Sequence, residues 1–295
     1  MKSYSSQKAL RTVVENFRKP RQLFMYHPIK FEIDGTFPST KTTLYSKNVN
    51  GTTYWLANMQ NDYEERDRQI LTHDGKFRES DFLKVFDEFC KSTGLFAGAN
   101  TPSTCAEKCY TQAIEKYMEK NNIAAQVQNK SSHFFAMNES QMFKYRHYEN
   151  HTFPEGYSID APDVSEDVDI IIKASSAPSN ANLVKEKLRR FPSLCVKKGS
   201  ELAGFISSES HGALANLHVF DGHRGKNLGE RLEIGAAKMA MKNGIRPCKF
   251  IDTNNSFFLE KAKKSKLMDL VESKGTPIVF DQNIYSPVLN YALHH

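Results

Sequence analysis

The chain has 295 residues, of which 39% are hydrophobic and 25% charged, with a formal net charge of +6. That composition supports a sizeable buried core in one large domain or two ordinary ones. No run approaches the roughly eighteen apolar residues of a membrane-spanning helix, and the modest positive charge favours an anionic ligand without requiring nucleic acid.

The opening stretch "MKSYSSQKALRTVVENFRKPRQ" carries basic and serine residues with Glu15 as its single acid. It lacks the apolar core of a secretory signal. Leu10, Val13, Val14 and Phe17 share one helical stripe and predict a first helix, although the composition also suits a mitochondrial presequence. The five scattered cysteines, an odd number, fit a reducing compartment, so the expected location is intracellular, cytoplasmic or mitochondrial. The sequons at Asn50, Asn129, Asn138 and Asn150 then read as chance.

"IKFEI" and "TTYWLANM" read as strands. "ESDFLKVFDEFCKSTG" reads as a helix, with Phe82, Val85, Phe86 and Phe89 on one face and Gly94 as its stop. "TCAEKCYTQAIEKYMEKN" predicts a second helix, which sets Cys105 and Cys109 one turn apart as packing residues. "HFFAM" reads as a strand and "ESQMFKYRHY" as a helix. His147 and His151 lack the further ligands of a metal set, and no metal is expected.

Turn formers crowd residues 150–163 and suggest an N-terminal α/β domain over 1–150 and a second domain over 151–295. In the latter, "YSIDA" is a strand and "VSEDVDIIIKAS" and "NANLVKEKLRR" are helices. "SLCV" and "LAGFISS" form a hairpin, and "GALANLHV" is a strand. "NLGERLEIGAAKMAMKNG" is a long helix closed by Gly244, "CKFID" a strand, "SFFLEKAKKSKLMDLVES" a helix and "TPIVF" a last strand.

Between a strand and the long helix stands "VFDGHRGKNLG". A strand that ends beside a helix start can aim several backbone N–H groups into one space, where the helix dipole favours phosphate. Gly225, Asn227 and Gly229 tolerate the backbone angles of such a turn, and Arg224 and Lys226 add positive charge. A basic turn that merely caps a helix has the same residues, so the six positions alone leave both readings open.

The surrounding order resembles the Gcn5-related N-acetyltransferase superfamily. Its acyl-CoA motif (Arg or Gln, two residues, Gly, one residue, Gly or Ala) follows a Leu-x-Val strand. Here Leu217-His218-Val219 leads to Arg224-Gly225-Lys226-Asn227-Leu228-Gly229, with Asn227 in place of the first motif glycine. The run from "RRFPSLCV" to the turn, and "FIDTNN" ending at Asn255, is similar to the glycine N-acyltransferase family within that superfamily. The resemblance covers about residue 157 to the end and is weaker before it.

It implies an α+β fold with a mixed α/β sheet: an acyl-CoA-binding C-terminal domain and an N-terminal α/β domain that is a degenerate copy. It implies an acyl-CoA-dependent N-acyltransferase acting on glycine or another small amino acid or amine. Acyl-CoA would be a co-substrate, with no tightly bound cofactor, no nucleic acid and no membrane partner. The cofactor-binding residues would be Leu217, His218, Val219, Arg224, Gly225, Lys226, Asn227, Leu228, Gly229 and Asn255.

The family's usual glutamate base falls on Ala213. His211 has the same strand parity and takes its place as the candidate catalytic residue. His218 has the opposite parity and reads as a packing or surface residue, while His223 is a further candidate for phosphate contact. The tyrosine many members use as general acid has no counterpart in "SFFLEKAKKSK", and Ser256 reads as a cofactor contact or a cap. These absences keep open a weakly active or inactive relative that binds CoA or a protein partner. The clusters "KLRR", "VKK" and "KAKKSK" motivate a nucleic-acid reading, but intervening acids make them solvated surface.

Overall fold

The computed structural model describes residues 1–97, 102–148, 153–175 and 180–287. They fall into two compact units, one of Met1–Asn16, Pro38–Ser132 and the chain from Ile278, the other of Phe17–Phe37 and His133–Pro277. Compactness thus divides the chain elsewhere than at residue 150. Turn formers mark exposed loops, whereas a unit is marked by its contacts, and the chain enters the second unit twice.

The first unit has a mixed sheet in the order Lys2–Tyr4, Thr40–Val49, Thr52–Asn61, Arg68–Asp74, Ser103–Glu107, Val279–Pro287. Only Arg68–Asp74 and Ser103–Glu107 run parallel, joined through the helix Glu79–Thr93. That helix buries Phe82, Val85, Phe86 and Phe89 against Leu56, Leu71, Ala106 and Tyr110, as its spacing requires, and ends at Gly94 in the left-handed conformation.

The second unit repeats this plan. Tyr157–Asp160, Leu194–Lys198, Glu201–Ser208 and Leu214–Val219 pair antiparallel in turn, and Leu214–Val219 is joined to the parallel strand Cys248–Asp252 through the helix Leu228–Lys242. One face packs on that helix through Leu194, Val196, Ile206, Leu232 and Ala236. On the other face, Phe205 and Cys195 pack with Val168, Ile171, Val184 and Leu188 of the helices Val168–Ala174 and Ala181–Arg190. The expected α+β class with mixed sheets is met.

Several expected elements change. "IKFEI" lies inside the helix Leu23–Asp34, where Met25, Ile29, Phe31 and Ile33 are all buried. Five alternating residues do not distinguish a half-buried strand from a helix covered on most sides. Cys105 belongs to the strand Ser103–Glu107 and Cys109 to the helix Lys108–Lys120, so the thiols are not one turn apart on a helix. The strand containing "HFFAM" begins earlier, at Ala125. The helix Ser256–Ser265 stops at Lys266, whose left-handed φ of +52° lets Leu267 and Met268 turn into the core. The strand expected from Gly212 starts at Leu214. Asn150 and His151 lie outside the described residues, and His147 packs its ring on Phe143 at 5.2 Å.

Candidate active site

Leu214–Val219 and Cys248–Asp252 pair only at Leu214 and Lys249. Beyond that pair the two parallel strands part, so among the described residues Cys248–Asp252 does not pair with Leu217, His218 or Val219. On its other edge the strand pairs with Glu201–Ser208, with a slip between Ala215 and His218 where Asn216 takes φ +53°. The slip turns Leu217 and Val219 onto the Leu228–Lys242 helix side. His218 turns the other way, stacking on Phe205 at 5.7 Å and meeting Phe220 edge-on at 4.7 Å. Burial, and then the charge of Arg224, lower the His218 pKa.

The turn that follows takes left-handed angles at Gly225 and Asn227, whereas Gly229 is already helical. Gly225 sits at φ +78° with nothing within 4 Å of where a Cβ would stand. Asn227 takes φ +56° and ψ 20°, so the asparagine does adopt the left-handed angle, and it caps the helix without a side-chain bond. The first intrahelical bond runs from Arg231 N to Asn227 O at 3.2 Å, which leaves the amides of Leu228, Gly229 and Glu230 ahead of it. Gly229 brings the helix against the strand: a Cβ there would meet Val219 Cγ2 at 3.7 Å and Leu217 Cδ2 at 3.9 Å.

Arg224 reaches back over the turn, its Nε donating to Val219 O at 3.1 Å and its guanidinium 2.8 Å from Asp221 Oδ1. Lys226 Nζ lies 3.4 Å from Gly222 O. His223 is buried, with Nδ1 3.0 Å from the Tyr157 hydroxyl and Nε2 3.2 Å from Glu201 Oε1. It braces the loop, and its ring nitrogens are committed away from a phosphate contact. Sequence reasoning missed Arg231, whose guanidinium stands 5.8 Å over the Phe153 ring and whose buried Nε has no hydrogen-bond partner among the described residues. A cation in a first turn opposes the helix dipole, so an anion at this end would relieve it.

Three residues beyond the facing strand, Asn255 accepts from Phe258 N at 3.2 Å and is the cap of the helix Ser256–Ser265, so Ser256 is its first residue and not its cap. His211 lies in the turn before the strand, so strand parity does not place it. It is 4% exposed, edge-on to Phe250 at 5.5 Å and beside His27 of the helix Leu23–Asp34. Nothing local in the sequence pairs these two histidines.

Mixed sheets, parted parallel strands and an open turn at a helix start are features of a fold that solved structures share. Among solved structures, a Drosophila protein is similar with a TM-score of 0.74 at 9% identity, over 97% of this chain and 98% of that one. A GCN5-related N-acetyltransferase from Kribbella flavida is similar with a TM-score of 0.53 at 9% identity, over 88% and 94%. At such identity the likeness is one of fold. No family model matches the sequence, and no curated protein does.

Proposed function

We propose that this chain is an acyltransferase that moves an acyl group from acyl-CoA to the amine of glycine or another small amino acid or amine. The observation that carries this reading is the pairing of two openings in one unit: the strands that part beyond Leu214 and Lys249, and the turn Arg224–Gly229 that ends beside them. The turn suits a pyrophosphate, since the Leu228, Gly229 and Glu230 amides converge there with Arg224 and Lys226 close by and open space over Gly225. The parted edge suits a pantetheine arm, with Asn255 across from it.

The Leu217–Val219 backbone amides would hold the thioester oxygen as charge develops on it, and fixed donors of this kind lower the barrier without reorganisation. His211 remains the candidate base for the acceptor, buried beside His27. Calorimetry of the intact protein with CoA, beside an Arg224→Ala, Asn227→Asp double variant, tests the cradle. Saturable binding that the variant loses supports it, and thiol release from acetyl-CoA then tests turnover. Failure to bind millimolar CoA removes the reading.

A second reading, a relative that binds CoA without turnover, is favoured by Ala213 at the family's base position and by the buried His211. It expects the same titration and no thiol release with any acceptor.

A further inference from the structure

The turn Arg224–Gly229 and the facing strand Cys248–Asp252 are carried by different elements. The turn opens the helix Leu228–Lys242, which packs on Leu194–Lys198, Glu201–Ser208 and Leu214–Val219. Cys248–Asp252 meets Leu214–Val219 at the pair of Leu214 and Lys249 alone. A ligand lying in both openings at once needs the helix start and the parted strand held at a fixed separation. A single backbone pair leaves the strand free to swing about that point.

A side-chain contact supplies a second point. Lys249 is the strand's member of that pair, and its side chain stands on the helix face of the sheet, as that of Leu214 does. Its Nζ is ion-paired with Glu233 Oε1, in the second turn of the helix. Both side chains are 12% exposed. The ammonium also stands 5.7 Å over the Phe135 ring, from the strand Ala125–Ala136. Two charges withdrawn from water in this way often add no net stability over apolar side chains of the same volume. What the pair does add is a directed link between its two carriers.

We propose that Glu233 and Lys249 are positioning residues: their ion pair sets the separation of the helix start and Cys248–Asp252, so that the diphosphate and the pantetheine arm of one ligand bind together. This rests on the acyl-CoA reading. Each half of the site is joined to one member of the pair. Glu233 follows the Leu228, Gly229 and Glu230 amides along the same helix, and Lys249 adjoins Phe250, the first residue past the pairing. With the tie in place, a diphosphate seated on the turn delivers the arm to the parted strand at a high effective concentration. Without it, the strand swings about Leu214 and that gain is lost. Neither residue touches the reacting atoms.

The test is calorimetry with CoA and with ADP, which carries a diphosphate and no pantetheine arm, for the wild type, Glu233→Gln, Lys249→Met and the double variant. The double variant leaves no unpaired buried charge, so it carries the test should either single change unfold the chain. ADP should bind the folded variants within about twofold of the wild type, because the turn is intact, while CoA should weaken about tenfold or more in the double variant, as when one of two linked contacts is misplaced. The preference for CoA over ADP then shrinks by that factor. Equal losses for both ligands, in step with a lower urea midpoint, would show a pair that only stabilises the fold and would overturn the proposal. A double variant that keeps the wild-type preference overturns it as well. So does a wild type that binds CoA no more tightly than ADP, since the arm would then lie outside the gap. A wild type that binds neither ligand ends the acyl-CoA reading, and the positioning role falls with it.

Discussion

His27 rests directly on Gly212. A Cβ at residue 212 would stand 2.7 Å from His27 Nδ1, 2.8 Å from its Cβ and 2.9 Å from its Cγ. The imidazole thereby clamps the turn that leads into the parted strand, because Glu209 N bonds Ala213 O at 2.9 Å and Gly212 N bonds Glu209 O at 2.8 Å.

Gly212→Ala should accordingly be costly. The residue sits at φ +81°, and the new methyl would meet the root of a buried ring that has nowhere to swing. The expected loss is about 2–4 kcal/mol, read as a lower urea midpoint at unchanged slope. A change under about 0.5 kcal/mol, the size of an ordinary surface substitution, would mean that the clamp is absent.

The same histidine makes stability fall in acid. Burial first, and then the charges of His211 and Arg246, bring its pKa down from 6.5 to about 3. A group whose folded pKa is depressed contributes stability that is fully present above the unfolded value. As pH drops from 6.5 toward 3, the unfolded chain takes up a proton that the fold refuses. The contribution is lost at up to about 1.4 kcal/mol per pH unit in that window. His27→Phe keeps an aromatic ring and cannot titrate, so its urea midpoint should fall less steeply than the wild type's between pH 6.5 and 4.

What could be read without the structure was what is local. The turn Arg224–Gly229 combines two left-handed residues with a helix start, and the backbone follows from residue type. The hairpin of Leu194–Lys198 and Glu201–Ser208 is equally local. The His27 clamp is not legible in the sequence because its partners are far apart in the chain and because "IKFEI" alternates like a strand. The Asn216 slip is not legible either: "LANLHV" is continuous in β-formers, and only pairing with Ser207 and Phe205 reveals the extra residue. The parity that relates His211 to Ala213 needs a strand beginning before Leu214, and Gly212 at positive φ ends that strand.

Asn227 offers a cleaner test of the cradle than its charges do. Its φ of +56° suits glycine and asparagine and strains a β-branched residue by about 1–3 kcal/mol. Asn227→Gly should bind CoA within about threefold of the wild type, because the backbone angle is kept. Asn227→Val should lose at least about tenfold, the equivalent of 1.4 kcal/mol, through a displaced helix start. Calorimetry on the two variants checks this. Equal affinities would mean that the phosphate does not lie over this turn.

The first unit repeats the strand–helix–strand plan but has neither opening. Its parallel strands stay paired from Arg68 with Ser103 to Leu71 with Ala106, where the second unit's pair at a single position. Its helix start is filled from within. The Tyr54 hydroxyl donates to Arg78 O and accepts from Arg78 N, both at 3.0 Å, and Thr52 Oγ1 donates to Lys76 O at 2.9 Å. Asp81, buried in the first turn, takes the Asn50 amide at 3.0 and 3.1 Å and supplies the negative charge that the helix dipole favours. A phosphate would meet a carboxylate there and find the amide of Arg78 already bonded. One CoA per chain is therefore expected in calorimetry. Tyr54→Phe, which strips both bonds from a buried loop, should cost about 1–3 kcal/mol in stability and leave that stoichiometry at one. Two equivalent sites per chain would contradict the closed first unit, and loss of the single site in Tyr54→Phe would assign the binding to the wrong helix start.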